Sequence, residues 1–270
     1  VYVNEPWRAR SWELNGLQLD VFLNKGVLWH GDWGEFTARD VKYSWDRQRA
    51  EGSIESAIAH WKFVKDVEIV NDYQVRVTWK EPYAFWDEPL NARMSSKAVA
   101  DKLGAAVANT TPVCTGPFKA IKWDAGDILE AEAVVPHWYE TPKVARLQVL
   151  EVPEAATRVA MMLTGEAHIA DVPFEDMRRI LDAGGKTYEI GIGVHQLIGF
   201  AGNYWQKTDH EGKPLAPRPG FDPTRPWIGD PDKPDSMEKA RKVRWAMSMA
   251  IDRQSIANTI LVGLGKPEHT

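Results

Sequence analysis

Residues 147–172 constrain the fold of this chain more than any other stretch of its sequence. Residues 147–152 alternate apolar and polar side chains, which predicts a half-buried strand that Pro153 ends. The apolar residues that follow recur three and four positions apart, which predicts a helix that ends at Gly165. Residues 167–172 then predict a second short strand. A strand, a helix and a strand in so few residues predict a βαβ unit with a parallel strand pair, and therefore an α/β domain.

The composition of the chain bounds the class of protein. Its 270 residues are enough for more than one lobe of ordinary size. Lys and Arg total 33 against 38 for Asp and Glu, and this mildly acidic balance does not favour nucleic-acid binding. The sequence contains no run of about 18 apolar residues, so it predicts no membrane span. The single cysteine, Cys114, excludes a disulfide framework and a multi-cysteine zinc site, and we expect it to be a small buried residue.

Alternating apolar residues predict strands on both sides of a first helical segment. The strands predicted in this part of the chain are residues 12–23, 67–70 and 75–79. The last two flank the turn pair Asn71-Asp72, so we expect them to form a β-hairpin. Thr37 and Asp40 match a capping box, which predicts that a helix begins there.

Catalytic motifs are absent or incomplete in this sequence. Residues 184–187 (GGKT) imitate the end of a phosphate-binding loop, but Ile180 occupies the position of the required first glycine. Neither HExxH nor GxSxG occurs, and the seven histidines are scattered. No nucleophile is placed next to a base. The sequence therefore favours a binding function, with no cofactor and no metal, over an enzyme.

Four motifs in consecutive order resemble those of one protein family. They are residues 36–47 (FTARDVKYSWDR), 115–123 (TGPFKAIKW), 164–170 (TGEAHIA) and 243–267 (VRWAMSMAIDRQSIANTILVGLGKP). With them the chain resembles the family 5 extracellular solute-binding proteins of ABC importers, which include peptide-, oligopeptide- and nickel-binding members. The resemblance implies an α/β, periplasmic-binding-protein-like (type II) two-lobed fold. Residues 136–139 (PHWY) depart from the family's Pro-x-Tyr-Trp order, and the insertion at residues 206–235 is longer than usual.

The resemblance also implies how the chain is divided. The chain looks like a fragment that holds most of the first lobe and only the start of the second. We expect residues 1–109 to form the smaller subdomain of the first lobe, residues 110–203 its α/β core, and residues 204–270 the start of the second lobe. Strand 17–23 and the hairpin should then lie in a sheet separate from the strands of residues 147–172. Val243, Met247, Ile256 and Ile260 should face solvent or a neighbouring copy, because the missing lobe would otherwise cover them.

Five ligand-binding residues are implied by the resemblance. Trp61 falls where nickel-binding members place a tryptophan over their ligand, and Arg93 falls where they place an arginine that holds a carboxylate. A guanidinium suits that role because it can form two parallel hydrogen bonds with a carboxylate. The alternatives are core packing for Trp61 and a surface cation for Arg93. His195, Gln196 and Asn203 fall on the segment that runs along the cleft, where they would supply polar contacts; for His195 the alternative is a buried strand histidine with a backbone partner.

The implied function is that of an extracytoplasmic receptor. It would capture a peptide or a similar small solute in the periplasm, free or on a lipoprotein anchor, and deliver it to an ABC permease in the membrane. Two lobes would close on the solute by a hinge motion. Tryptophan faces also suit sugar rings, so an oligosaccharide is one alternative solute and a metal chelate is another. A hydrolase and a purely structural interaction module are the alternatives from other classes.

Overall fold

The computed structural model of this chain describes residues 7–53, 58–188, 199–200, 206–209, 212–216, 222 and 224–267. The chain divides into two compact units, Val1–Glu151 and Val152–Thr270. Unit 1 contains two β-sheets. The described elements of unit 2 are helices and one isolated β-bridge between Thr208 and Pro214.

The first sheet of unit 1 is antiparallel throughout. Its strands, in the spatial order β1-β2-β4-β3, are β1 Ala9–Asn15, β2 Gln18–Leu23, β3 Val64–Asn71 and β4 Gln74–Trp79. The predicted hairpin of β3 and β4 is confirmed. The prediction of one strand over residues 12–23 is wrong, because β1 and β2 form a second hairpin. Gly16 and Leu17 make its turn, with Gly16 in the left-handed region at φ 62°.

Helix α1, Ala38–Gln48, covers this sheet and begins where the sequence predicts. The Thr37 side chain accepts a backbone N–H while the Thr37 backbone donates to Asp40 Oδ2 at 2.9 Å, so the capping box is present. The helix and the sheet share one apolar core. Its fully buried large residues are Leu19, Val27, Phe36, Val41, Trp45, Val67, Val75, Val77 and Trp79.

Short helices lead from the first sheet to the second. They are α2 Ile58–Trp61, a 3₁₀ turn at Glu88–Asn91, α3 Lys97–Leu103 and α4 Ala105–Ala108. Ser96 caps α3 by accepting the Val99 N–H at 3.3 Å.

The second sheet of unit 1 has three antiparallel strands in the order β5-β6-β7. They are β5 Phe118–Asp124, β6 Ile128–Ala133 and β7 Arg146–Leu150. The expectation that the early strands and the strand near residue 147 belong to different sheets is therefore confirmed. The proposed domain boundaries at residues 109 and 203 stay predictions.

The predicted βαβ unit is wrong. Strand β7 pairs with β6 in the antiparallel sense, and residues 167–172 form no strand. Alternation marks a strand but does not give its pairing direction, and an antiparallel neighbour needs no crossover helix. The Arg158 side chain instead donates hydrogen bonds to nearby backbone carbonyls. Its Nη1 donates to Val152 O at 2.7 Å, and its Nε donates to Asp171 O at 2.8 Å.

Unit 2 contains the helix predicted to end at Gly165 and further helices after it. They are α5 Ala155–Thr164, α6 Phe174–Asp182, α7 Ser236–Met249, α8 Arg253–Ser255 and a π-helical turn at Ile256–Ile260. Gly165 ends α5 in the left-handed conformation at φ 77°. Met247, Ile256 and Ile260 are 36%, 39% and 61% exposed, as predicted, whereas Val243 is half-buried.

A histidine joins the loop after β2 to the segment that enters β5. His30 N donates to Cys114 O at 2.9 Å, and His30 Nε2 lies 2.8 Å from Gly116 O. Because a carbonyl can only accept, Nε2 carries the proton of the neutral ring. His30 Nδ1 is buried with no partner among the described residues. Cys114, within this segment, is exposed, so the expectation that it is buried is wrong.

Replacing Asp40 with alanine should lower the free energy of unfolding by about 2–3 kcal/mol, measured by urea denaturation. The carboxylate accepts from the Thr37 backbone and from the Lys97 N–H at 2.8 Å, and both donors would lose a buried partner. Asp46→Ala on the same helix is the matched control. Asp46 pairs with Lys42 and Arg49 at the surface, so its loss should cost under about 1 kcal/mol. Equal losses in the two variants would contradict this account.

The stability of the chain should fall as the pH drops below about 6.5. Burial lowers the pKa of His30 from its usual value of 6.5, and the charges of His137 and Lys119 lower it further, while the Gly116 carbonyl opposes the shift. The unfolded chain then takes up the proton before the folded chain does, so acid favours unfolding. The measurement is the free energy of unfolding at pH 7 and pH 5.5, for the natural chain and for His30→Gln. The glutamine keeps a donor for Gly116 and cannot titrate, so an unchanged pH dependence would exclude His30 as the cause.

Candidate binding site

One side of helix α1 carries a row of buried polar groups. Asp40, Ser44 and Gln48 recur every four residues and are buried, although α1 packs on an apolar core. A buried polar group without a partner costs about 1–3 kcal/mol, so this spacing requires a polar surface opposite the helix. Residues 89–97, which contain Arg93, provide that surface.

Each polar side chain of the row forms a hydrogen bond with the backbone of this segment. Gln48 Nε2 donates to Arg93 O at 2.9 Å, and Ser44 Oγ accepts the Ser95 N–H at 2.8 Å. Asp40 Oδ1 accepts the Lys97 N–H at 2.8 Å. Trp45 Nε1, on the same side, donates to Pro89 O at 3.2 Å. We call residues 89–97 the anchored segment, because four side chains of one helix fix its backbone.

Arg93 has a fixed backbone and an uncommitted side chain. Its carbonyl accepts from Gln48, while the side chain is exposed and makes no ion pair with an acidic residue among those described. A guanidinium that is not paired inside the protein keeps its donors for an anion from solution. The structure therefore leaves Arg93 chemically able to hold a carboxylate, and its place in a ligand site stays a prediction.

Trp61 lies in the core of unit 1. It is 5% exposed, and its ring contacts Trp45 with 5.8 Å between ring centroids. Its Nε1 has no hydrogen-bond partner among the described residues. Core packing thus accounts for its apolar surface, and only the indole N–H is left without an assigned contact. The role of Trp61 over a ligand stays a prediction.

The remaining three predicted ligand residues, His195, Gln196 and Asn203, lie outside the described residues. Among the residues that the structure does describe, no group of three or more His, Cys, Asp or Glu side chains is placed to hold a metal ion. None of the described helices is long and apolar enough to cross a membrane.

Unit 1 also contains a concave pocket of about 110 Å³ with aromatic walls. Neither Trp61 nor Arg93 lines it, but the anchored segment forms one wall through Pro89, Leu90, Asn91 and Met94. The other lining residues are Trp7, Arg8, Ala9, Trp12, Val21, Leu23, Phe36, Val41 and Trp45. Sequence reasoning missed this pocket, because its walls come from four separate parts of the chain.

A second aromatic group lies on the surface beside α2. Phe63 stacks on Tyr83 with 4.3 Å between ring centroids, and His60 Nδ1 lies 2.7 Å from the Tyr83 hydroxyl. Phe85 contacts both His60 and Tyr83 and is itself 55% exposed. Exposed rings of this kind can stack on the faces of planar or sugar ligands.

The family of the chain follows from comparison with known proteins. The family model described as bacterial extracellular solute-binding proteins, family 5, middle, matches residues 4–270. The chain therefore belongs to this family, as its four motifs indicate. Members of the family are extracellular or periplasmic binding proteins rather than enzymes.

Two curated relatives show the range of named solutes. The glutathione-binding protein GsiB of Pectobacterium atrosepticum is 30% identical over 177 residues, which cover 63% of this chain and 34% of the relative. The oligopeptide-binding protein AppA of Bacillus subtilis is 25% identical over 260 residues, which cover 93% of this chain and 42% of the relative. The chain thus spans less than half the length of these relatives.

Two solved structures show the fold. NikZ from Campylobacter jejuni in complex with Ni(L-His) matches with a TM-score of 0.66 and 24% identity, over 96% of this chain and 47% of that one. AppA from Bacillus subtilis in complex with a nonapeptide matches with a TM-score of 0.63 and 20% identity, over 97% of this chain and 48% of that one. The predicted type II periplasmic-binding-protein-like fold class is confirmed.

Replacing Gln48 with methionine should loosen the anchored segment, because Arg93 O loses the side-chain donor that it has among the described residues while the side-chain volume is nearly kept. We expect the free energy of unfolding to fall by roughly 1–2 kcal/mol and the Ser95 amide to exchange faster with solvent. The matched control is Tyr43→Phe on the same helix. The Tyr43 hydroxyl is buried with no partner among the described residues, so its removal should leave both quantities nearly unchanged. A slow, unaltered Ser95 amide in the Gln48 variant would show that the segment does not depend on the Gln48 contact.

Proposed function

We propose that this chain belongs to the extracytoplasmic substrate-binding component of an ABC importer, which captures a peptide or a similar small solute and delivers it to a membrane permease. The observation that supports this most is the state of Arg93. Its backbone is fixed by Gln48, while its guanidinium has no acidic partner among the described residues. An exposed cation on a fixed backbone is suited to recognising an anion that comes and goes.

The chemistry of Arg93 favours a carboxylate as that anion. A guanidinium and a carboxylate can form two parallel charge-assisted hydrogen bonds, which fix orientation as well as adding affinity. Every peptide with a free C-terminus carries such a group, and glutathione carries two. The relatives named for oligopeptides and for glutathione therefore bind solutes that meet this requirement. A peptide-like solute is the class that the Arg93 geometry supports best.

An oligosaccharide is the second candidate solute. The exposed ring of Phe85, which contacts the half-buried His60 and Tyr83, favours it, because exposed aromatic faces pack against sugar rings. A thermal-shift screen of the full chain separates the two candidates. The panel contains free di- to pentapeptides, glutathione, the same peptides as C-terminal amides, neutral oligosaccharides and nickel–histidine. A solute that binds the native state raises the melting temperature, and we expect the free peptides to do so.

Replacing Arg93 with alanine should weaken binding of the best free peptide by about 1.5–3 kcal/mol, the range for a charged hydrogen-bonded contact. Folding should change little, because the Gln48 contact is to the Arg93 backbone. Isothermal titration calorimetry with the free peptide and its C-terminal amide gives the measurement. The Arg93 variant should lose the preference for the free acid.

Arg39→Ala is the matched control for that experiment. Arg39 is also an exposed arginine, in the first turn of α1, and among the described residues its side chain makes no hydrogen bond or ion pair with the anchored segment. Its loss removes the same net charge, so it should leave the affinity within about 0.5 kcal/mol. If both variants bind the free peptide as the natural chain does, Arg93 is not part of the site.

A further inference from the structure

The aromatic pocket of unit 1 contains one cation, Arg8. Arg8 is half-buried and lines the pocket together with Trp12, Phe36 and Trp45. Its guanidinium carbon lies 5.9 Å from the centroid of the Phe36 ring, within the range of a cation–π contact. An arginine in an apolar wall is unusual, because burial removes most of its hydration.

The described residues do not supply Arg8 with an anionic partner. No carboxylate among the described residues forms an ion pair with the Arg8 side chain. The Arg8 backbone carbonyl accepts a hydrogen bond from Asn24 N at 2.9 Å. Burial lowers the pKa of Arg8, and the nearby Cys114 thiol is the one group that opposes the shift. The pKa of an arginine is so high that the group stays charged nonetheless. The pocket thus contains a desolvated positive charge with donors to spare.

The size and the walls of the pocket limit which ligands can pair with that charge. Its volume of about 110 Å³ is small beside the roughly 300–1,000 Å³ of sites for drug-sized ligands. Its walls are mostly aromatic and aliphatic, with Asn91 as a second polar side chain. A strongly hydrated ion such as sulfate would gain nothing from such walls. A ligand of few atoms with one anionic end and one apolar end fits both features.

We propose that this pocket is a binding site for a small organic acid, in which Arg8 holds the carboxylate and Trp12, Phe36 and Trp45 enclose an apolar or aromatic group. The carboxylate completes the hydrogen bonding of the guanidinium, while the aromatic walls exclude water and strengthen the charge pair. The site goes beyond the solute recognition assigned to Arg93 and does not depend on it, because Arg93 does not line the pocket.

Phenylacetate is the probe, with phenylacetamide as its uncharged counterpart and acetate as the acid without an apolar group. Titration of the full chain is followed by the indole N–H signals of ¹⁵N-tryptophan-labelled protein. We expect phenylacetate to shift the signals of Trp12 and Trp45, and to bind at least about tenfold more tightly than phenylacetamide or acetate. The buried Trp79, which does not line the pocket, should keep its signal. No measurable phenylacetate binding, or equal binding of the amide, would overturn the proposal.

Three variants complete the test. Arg8→Met keeps the stem and removes the charge, so it should weaken phenylacetate binding at least tenfold; Arg8→Lys keeps the charge and should restore part of it. Arg10→Met is the matched control, because Arg10 is an exposed arginine two positions further along the chain, in β1, that does not line the pocket. Thermal melting verifies that each variant is folded. Undiminished binding by a folded Arg8→Met chain, or equal loss in Arg10→Met, would overturn the assignment. Arg93→Ala should bind phenylacetate as the natural chain does, which separates this site from the proposed solute site.

Cys114 offers a second readout that needs no structural change. It is the single cysteine of the chain and its side chain is solvent-accessible. Partial burial raises the pKa of its thiol, and the charge of Arg8 offsets part of that rise. A bound carboxylate neutralises Arg8, so fewer thiolates should form and alkylation of Cys114 by iodoacetamide should slow. Phenylacetamide should leave the rate unchanged. A rate that is insensitive to saturating phenylacetate would place the bound acid away from Arg8.

Discussion

The row of buried polar groups on α1 is the constraint on which the rest of unit 1 depends. A helix that packs on a sheet normally buries an apolar face, because a buried polar group must find a partner or lose about 1–3 kcal/mol. Asp40, Ser44 and Gln48 find theirs in the backbone of residues 93–97. The helix is thereby held between the sheet on one side and the anchored segment on the other. The position of Arg93 is a consequence of satisfying these groups.

The same principle explains how the two sheets of unit 1 are joined. The segment that enters β5 carries carbonyls that need donors, and histidine and tryptophan side chains supply them. His30 reaches Gly116 O from the loop after β2, while Trp138 Nε1 donates to Thr115 O at 2.8 Å. These contacts come from parts of the chain far apart in sequence. They also make the junction sensitive to protonation, since His30 has no second acceptor for a proton on Nδ1 among the described residues.

Short-range patterns in the sequence predicted where helices and hairpins form better than they predicted which strands pair. The capping box at Thr37 and the turn pair Asn71-Asp72 depend on residues a few positions apart, and both predictions are confirmed. The second hairpin had an equally local signal, Asn15-Gly16, which the apolar alternation across it concealed. The pairing of β7 was not predictable, because alternation is the same for parallel and antiparallel neighbours.

The candidate site was predictable only in part, for a related reason. The resemblance to nickel-binding members of the family implied Arg93, and its exposed side chain is compatible with that role. Gln48, the side chain that fixes the Arg93 backbone, lies 45 positions away in sequence. No pattern in α1 predicts which segment its polar side chains bind. Trp61 shows that residue type alone does not decide between a binding role and a packing role. Its residue type suited a ligand wall and a core equally well, and burial against Trp45 is decided by tertiary packing.

Hydrogen–deuterium exchange of the full chain, with and without a saturating free peptide, tests the central claim most directly. That claim is that a solute carboxylate binds on the segment that α1 holds in place. The account predicts slower exchange across residues 89–97 when the peptide is bound, because the bound carboxylate restrains a segment already fixed by Gln48 and Ser44. Protection confined to other parts of the chain, with residues 89–97 unchanged, would contradict it.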